Sequence, residues 1–146
     1  MAVLRNQRFV FMWLSGMTLT LGFAIFFLSV SWLTIDVLRQ PALLGLILTA
    51  VSLPRVIMMV FGGVFADRFQ KSRLLFWTNL GQAFLMLGVV LLHYADAYSV
   101  GTLLLISVVF GILDGMSYPA LSSLLPSLVP ASQLQRANSL FQGSLE

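Results

Sequence analysis

The chain contains 146 residues and carries a net charge of +3 at pH 7. Hydrophobic residues make up 59% of it and charged residues only 9%, with a mean hydropathy of +0.97. A soluble globular domain has about 25% charged residues, and water does not tolerate the apolar surface that this chain would expose. The composition therefore excludes a soluble domain and indicates an all-α integral membrane protein whose main partner is the lipid bilayer. The basic residues lie in short clusters without interleaved aromatic residues, which argues against nucleic acid as a partner.

Four long apolar segments follow one another along the chain, and each can cross a hydrocarbon core that takes about 20 helical residues. They lack the two-residue alternation of a membrane barrel, so helices are expected. Two segments contain no charge, the second contains only Arg55, and the fourth contains only Asp114. The predicted helices cover residues of about 9–35, 42–65, 74–94 and 100–125.

Beyond the fourth segment, the sequence predicts a helix end and a new helix start. Pro126 and Pro130 are expected to end the fourth helix, because proline cannot donate the backbone hydrogen bond. Ser132 and Gln135 then have the spacing of a capping box. We expect a fifth helix from about residue 133 that is cut short at Glu146, so that the chain reads as the front part of a longer protein.

The distribution of lysine and arginine predicts the orientation in the membrane. One side of the four spans would carry a single basic residue, Arg39. The other side would carry six, namely Arg5, Arg8, Arg68, Lys71, Arg73 and Arg136. Short cytoplasmic loops are enriched in these residues. The N-terminus and the loop Asp67–Arg73 are therefore expected in the cytoplasm, which makes this a multi-pass protein of the inner (plasma) membrane.

The stretch GGVFADRFQKSRLL, residues 62–75, is a charged connection between the second and third spans. It resembles the signature of the major facilitator superfamily between these two helices, roughly G-x-L-A-D-R-x-G-R-K-x-x-L. The matching residues are Gly63, Ala66, Asp67, Arg68 and Leu75, and Lys71 keeps the charge of the second arginine. The sequence departs from the signature at Phe65, Gln70 and Ser72. The phrases SLPRVIMMVFGGVFADR and PALSSLLPSLVPASQLQRANSL are similar to the macrolide and siderophore exporters of that superfamily.

The resemblance implies a fold of twelve helices, of which residues 1–146 would form part of the N-terminal six-helix half. It implies secondary active transport, as proton-coupled efflux of amphipathic small molecules, together with C-terminal helices that are missing from this sequence. In such a transporter the aspartate of the loop and its basic partners hold the two halves together in the outward-facing state. The candidate switch residues are Gly63, Asp67, Arg68, Lys71 and Arg73. An alternative is that these charges serve topology alone.

Arg55 and Asp114 are the two charges inside predicted spans. Each lies about 20 Å along its helix from the outer end, at about 1.5 Å per residue, so both reach a similar depth. An isolated charge at this depth costs about 2.5–3.5 kcal/mol on insertion scales. We expect the two residues to pair, and protonation of Asp114 to loosen the pair during transport. A static structural pair, or one charge that faces a water-filled cavity alone, is the alternative.

The helix around Asp114 has further unusual residues. Gly111 and Gly115 form a GxxxG pattern that permits close helix contact. Because this pattern is common in membrane helices, helix packing is favoured over a role in a binding site. Pro119 deprives the Gly115 carbonyl of its helical partner and should bend the helix nearby. Asp36, at the outer end of the first span, is expected to be an interfacial cap rather than a proton site.

Enzymatic activity finds no support in the sequence. No catalytic triad, paired carboxylates or phosphate loop can be assembled from its few polar residues, and no metal site is expected from one histidine without cysteine. We expect no cofactor. A different class of function remains open, namely a small four-span membrane scaffold or partner subunit without transport activity of its own.

Overall fold

The computed structural model describes residues 7–68 and 70–128, together with residues 135, 139 and 143, without the side chains of residues 8, 64–68, 125, 127 and 128. Every regular element among the described residues is a helix, and none of them is a strand. The four long helices are α1 (Gln7–Trp32), α2 (Leu44–Arg68), α3 (Lys71–Tyr94) and α4 (Val100–Leu128). The expected fifth helix, from about residue 133, lies outside the described residues apart from Gln135, Ser139 and Gly143.

Four helices in the described part of the chain are long and apolar enough to cross a membrane. The spans cover Phe9–Val37, Pro41–Gly63, Lys71–Tyr94 and Val100–Leu124. Large apolar side chains such as Phe11, Val60 and Trp77 are exposed on the outside of the bundle, where lipid rather than water would contact them. The prediction of an all-α membrane protein with four spanning helices is confirmed.

We call the end of the bundle that contains Arg39 and Ser99 the outer end, and the opposite end the inner end, after the orientation expected from the basic residues. At the outer end, local structure defines where α1 ends and where α4 begins. After Trp32 the first span continues as a π-helical turn, Leu33–Val37, and Arg39 then adopts a left-handed conformation with φ of 52° that reverses the chain. Ser99 and Thr102 form a reciprocal capping box at the start of α4. The Thr102 amide donates to Ser99 Oγ at 3.1 Å, and the Ser99 amide donates to Thr102 Oγ1 at 3.0 Å.

Two expectations about the inner helix ends need correction. Pro126 does not end the fourth helix, because α4 continues through it to Leu128. Proline removes one backbone hydrogen bond, which a helix can lose when packing holds its neighbours in place. The connection between α2 and α3 is also shorter than expected, since α2 extends through Asp67 to Arg68 and α3 already begins at Lys71.

Helix α4 lies at the centre of the bundle and packs against all three other helices, most extensively against α2. Two buried apolar clusters lie along it. The inner cluster joins Phe9, Met12, Leu19, Leu75, Ala120 and Leu121. The outer cluster joins Phe26, Val30, Leu33, Ile47, Val51, Val89, Leu103 and Phe110. Between the two clusters α4 carries Asp114 and Ser117, so a polar layer lies within the membrane-spanning part of the bundle.

Candidate functional site

Helices α2 and α4 run in the same direction and meet through glycine. Gly111 lies so close to Val51 that a Cβ at this position would collide with the Val51 carbonyl oxygen. One turn further on, a Cβ at Gly115 would lie 2.8 Å from Met58 Cβ and 3.0 Å from Arg55 Cα. The GxxxG pattern therefore does more than permit contact. It brings the backbone of α4 directly against the backbone of α2 at the level of Arg55.

This close packing continues toward the inner end through Gly62 and Pro119. A Cβ on Gly62 would lie 2.7 Å from Pro119 Cγ and 3.4 Å from the carbonyl oxygen of Gly115. Pro119 lies inside α4 and leaves that same carbonyl without its helical donor. The neighbouring Gly63, which matches the superfamily signature, has no atom within 4 Å of an added Cβ. The glycine that α2 needs for packing is therefore Gly62.

Arg55 and Asp114 are in contact across the glycine-packed interface. Arg55 Nε lies 2.9 Å from Asp114 Oδ2, which is the distance of a charge-assisted hydrogen bond. The Asp114 side chain is 10% exposed and that of Arg55 is 33% exposed. The guanidinium also lies over the ring of Phe23 from α1, 4.3 Å from its centroid. Arg55 thus has an anion and an aromatic face as partners, and part of its surface remains open.

A hydrogen-bonded contact joins α3 to α4 one turn closer to the inner end. Ser117 Oγ donates to Thr78 Oγ1 at 2.8 Å and lies 2.9 Å from the carbonyl of Leu113. Thr78 and Ser117 are both buried. The two helices are antiparallel, because Gly81 on α3 faces Leu113 on α4, with 2.9 Å from an added Cβ to Leu113 Cδ1. This register brings the next turn of α3, at Gln82, to the level of Asp114.

Gln82 is the polar residue that sequence reasoning missed. It is 6% exposed, and its side chain lies beside the Asp114 carboxyl group on the side of α3. Its Nε2 has no hydrogen-bond partner among the described residues. Gln82 carries no charge and does not lower the hydropathy of α3 enough to attract notice. The available signal was an amide side chain in the middle of a span, three residues after that of Asn79.

The expected switch residues lie around the inner ends of α2 and α3. Asp67 and Arg68 form the last turn of α2, but the roles expected of their side chains lie outside what the structure describes. Lys71 opens α3, and its Nζ donates to the backbone carbonyl of Ser123 on α4 at 3.3 Å. Arg73 is exposed. Of these residues, Lys71 is the one whose described side chain joins two helices.

An aromatic group closes the outer end of the bundle. The ring of His93 lies 5.9 Å from that of Trp32 and 5.7 Å from that of Tyr98. Tyr98 lies in the connection between α3 and α4, and its hydroxyl is buried without a partner among the described residues. Burial raises the pKa of the Tyr98 hydroxyl, and the nearby Asp96 carboxylate raises it further.

The polar layer is thus a buried carboxylate with an arginine and an amide as neighbours, inside a helical membrane bundle. A family model described as transmembrane secretion effector, of the major facilitator superfamily, matches residues 1–143. Neither a curated protein nor a solved structure matches the chain. The match covers nearly the whole sequence and points to a transporter rather than an enzyme. The chain belongs to the transmembrane secretion effector family of the major facilitator superfamily.

Proposed function

We propose that this chain is the N-terminal part of a secondary active exporter that expels amphipathic small molecules, of the macrolide or siderophore type, in exchange for protons. The observation that supports the proposal most directly is the ion pair between Arg55 and Asp114 inside the membrane-spanning part. Ionisable residues at this depth are costly and are found in transport and proton pathways. The family match supports transport, and the sequence resemblance supports export of amphipathic compounds.

The proposed coupling begins with the open surface of Arg55. A proton that binds Asp114 removes the negative charge that Arg55 faces, and the guanidinium then keeps only its contact with Phe23. While Asp114 is ionised, a substrate that enters beside the open face of Arg55 donates a hydrogen bond to the carboxylate, and protonation of Asp114 in the outward-facing state releases that substrate. Release of the proton into the cytoplasm restores the carboxylate for the next substrate, so that protons and substrate cross the membrane in opposite directions.

We also propose that the N-terminus and the connection between α2 and α3 face the cytoplasm, in the inner membrane. The excess of lysine and arginine at this end supports the orientation. In this proposal Gly63, Asp67, Arg68, Lys71 and Arg73 belong to the switch that holds the outward-facing state together with C-terminal helices. The bond from Lys71 to Ser123 supports a role for this end in coupling α3 to α4.

The test requires the complete product of the reading frame, so sequencing of the coding DNA beyond Glu146 comes first. The complete protein is then reconstituted in liposomes with a fluorescent amphipathic dye and an imposed pH gradient. We expect gradient-driven dye movement, with loss of that movement in Asp114→Asn. Asp36→Asn is the matched control, because Asp36 is exposed at the outer end of the first span.

Two outcomes would overturn parts of the proposal. Dye transport by Asp114→Asn at the rate of the unchanged protein, still driven by the gradient, would remove Asp114 from the coupling mechanism. No movement of any amphipathic dye by the unchanged complete protein, with or without a gradient, would favour the alternative of a membrane scaffold or partner subunit.

A further inference from the structure

Asp114 has neighbours on two different helices. Arg55 from α2 binds its carboxylate at 2.9 Å, and Gln82 from α3 is its second polar neighbour. The hydrogen bond between Thr78 and Ser117 fixes the level of these residues, because Gln82 lies one turn beyond Thr78 on α3 and Asp114 nearly one turn before Ser117 on α4. The carboxylate therefore has a cation and a neutral amide as neighbours.

The amide of Gln82 has a hydrogen-bond donor that no described residue uses. Its Nε2 is buried without a partner among the described residues, and a buried donor left unpaired costs about 1–3 kcal/mol. Gln82 also lines a cavity of about 360 Å³ between α1 and α3. The other amide lining that cavity, Asn79, donates its Nδ2 to Ser15 at 3.3 Å, so it already has a partner. The nearby acceptor that matches the unused donor of Gln82 is the carboxylate of Asp114.

We propose that Gln82 is the second partner of Asp114, and that its Nε2 takes over the carboxyl group when the bond to Arg55 opens. Rotation of the terminal amide about its last torsion is a small movement that brings the donor to the carboxyl oxygen. Gln82 is a positioning residue, since it acts through Asp114. With a donor still in place, Asp114 keeps its buried position while Arg55 turns to Phe23 or to another anion. The groups that face Asp114 in the described residues are Arg55 and Gln82, of which only the arginine is charged.

This exchange of partners rests on the proposed function only for its place in transport, and it can be tested without a transport assay. The complete protein is purified in lipid nanodiscs as the unchanged form, Gln82→Met, Arg55→Met and the double variant. At position 82, methionine removes the hydrogen-bonding groups at nearly constant side-chain length, and at position 55 it removes the charge. We expect Gln82→Met to raise the equilibrium constant of unfolding only slightly in the unchanged background. In the Arg55→Met background, where Asp114 depends on Gln82, its effect should be larger by about tenfold or more.

Infrared spectroscopy gives a readout that a purely structural role would not move. The carboxyl band of Asp114, identified by its loss in Asp114→Asn, should lie at higher wavenumber when Arg55→Met is combined with Gln82→Met than in Arg55→Met alone. Asn79→Leu serves as the matched control, because it removes an α3 amide that already has a partner in Ser15. It should have the same effect in both backgrounds and leave the band in place.

Equal effects of Gln82→Met in the two backgrounds, with an unmoved band, would overturn the exchange. If Arg55→Met does not fold, Arg55→Gln provides the second background, since its shorter neutral side chain removes the charge that binds Asp114. The same difference is then expected there. A positive result here together with normal transport by Asp114→Asn would leave the exchange intact and overturn only the proposed coupling.

Discussion

Gly115 packs against the backbone of Arg55, and the residue before it in α4, Asp114, binds the side chain of Arg55. The backbone contact and the ion pair hold the same two segments at the same level. Neither can change without disturbing the other. The spacing of α2 and α4 therefore determines whether the charged groups are within reach of each other.

Alanine at either glycine of α4 should push the two helices apart. A Cβ at Gly111 or Gly115 meets backbone atoms of α2, which cannot move aside as a flexible side chain can. We expect Gly111→Ala and Gly115→Ala each to lower the free energy of unfolding by about 1–3 kcal/mol, measured in detergent with a denaturant series. Gly88→Ala is the control, because nothing lies within 4 Å of an added Cβ there and alanine favours the helix. Equal effects at Gly88 and Gly115 would contradict the close packing.

Removing one member of the ion pair should cost more than removing both. Asp114→Asn or Arg55→Gln alone leaves a charge in a buried setting, which lowers the free energy of unfolding by about 3–5 kcal/mol. The double neutral variant should recover a large part of that loss. The charge exchange Arg55→Asp with Asp114→Arg should recover part of it as well. Losses in the double variants that equal the sum of the single losses would show that the two residues act independently.

The contact between Thr78 and Ser117 predicts a disulfide. Their hydroxyl oxygens lie 2.8 Å apart on facing helices, and the natural chain contains no cysteine that could interfere. The double variant Thr78→Cys with Ser117→Cys should lose both free thiols on mild oxidation with copper phenanthroline. The remaining thiols are counted with a maleimide reagent after denaturation. Thr78→Cys with Tyr118→Cys is the control, since Tyr118 is exposed on another face of α4. Oxidation of the control pair to the same extent would argue against the α3–α4 register.

Lys71 should hold the inner end of α4. Its Nζ bonds to the carbonyl of Ser123, and a cation favours the C-terminal part of a helix by about 0.3–1 kcal/mol. Lys71→Met should therefore accelerate hydrogen exchange of the last amides of α4, with little effect on its outer end. Arg73→Met removes a charge that is exposed, and exchange should stay as it is. Faster exchange in both variants would indicate a general effect of charge.

Ionisation of Tyr98 should lower the free energy of unfolding at alkaline pH. Its pKa is raised by burial and by Asp96, so the folded state favours the neutral hydroxyl more than the unfolded state does. That stability is fully present below the ordinary pKa of tyrosine and is lost as the pH rises through the raised value. Tyr98→Phe should remove this alkaline loss in thermal melts and leave stability near neutral pH unchanged or slightly higher, because the hydroxyl has no described partner. Tyr94→Phe, at an exposed residue, should keep the alkaline loss.

The charged part of the site could be predicted from the sequence, since a charge within a long apolar run is conspicuous and costly. Arg55 and Asp114 stand out for this reason, and their equal depth along two helices of the same direction predicts the pair that the structure shows. The neutral part could not be predicted. Gln82, Thr78 and Ser117 barely change the hydropathy of a span, and their importance depends on which face of α3 meets α4.

The inner helix ends were predicted less well for related reasons. A proline is expected to end a helix, but α4 continues through Pro126 because packing against its neighbours outweighs one lost backbone hydrogen bond. Gly62 and Gly63 are adjacent in sequence, and only the direction of α2 decides which of them meets Pro119. Local propensity describes a helix in isolation, whereas both of these features are decided by its neighbours.

The contact of Arg55 with Phe23 has a consequence for biosynthesis. The ribosome completes α2 well before α4, so Arg55 enters the membrane when Asp114 has not yet been made. Phe23 on α1 is already present and offers its aromatic face, 4.3 Å from the guanidinium in the folded bundle. Until the carboxylate of α4 is made, the ring of Phe23 is therefore the partner that α1 offers to the arginine.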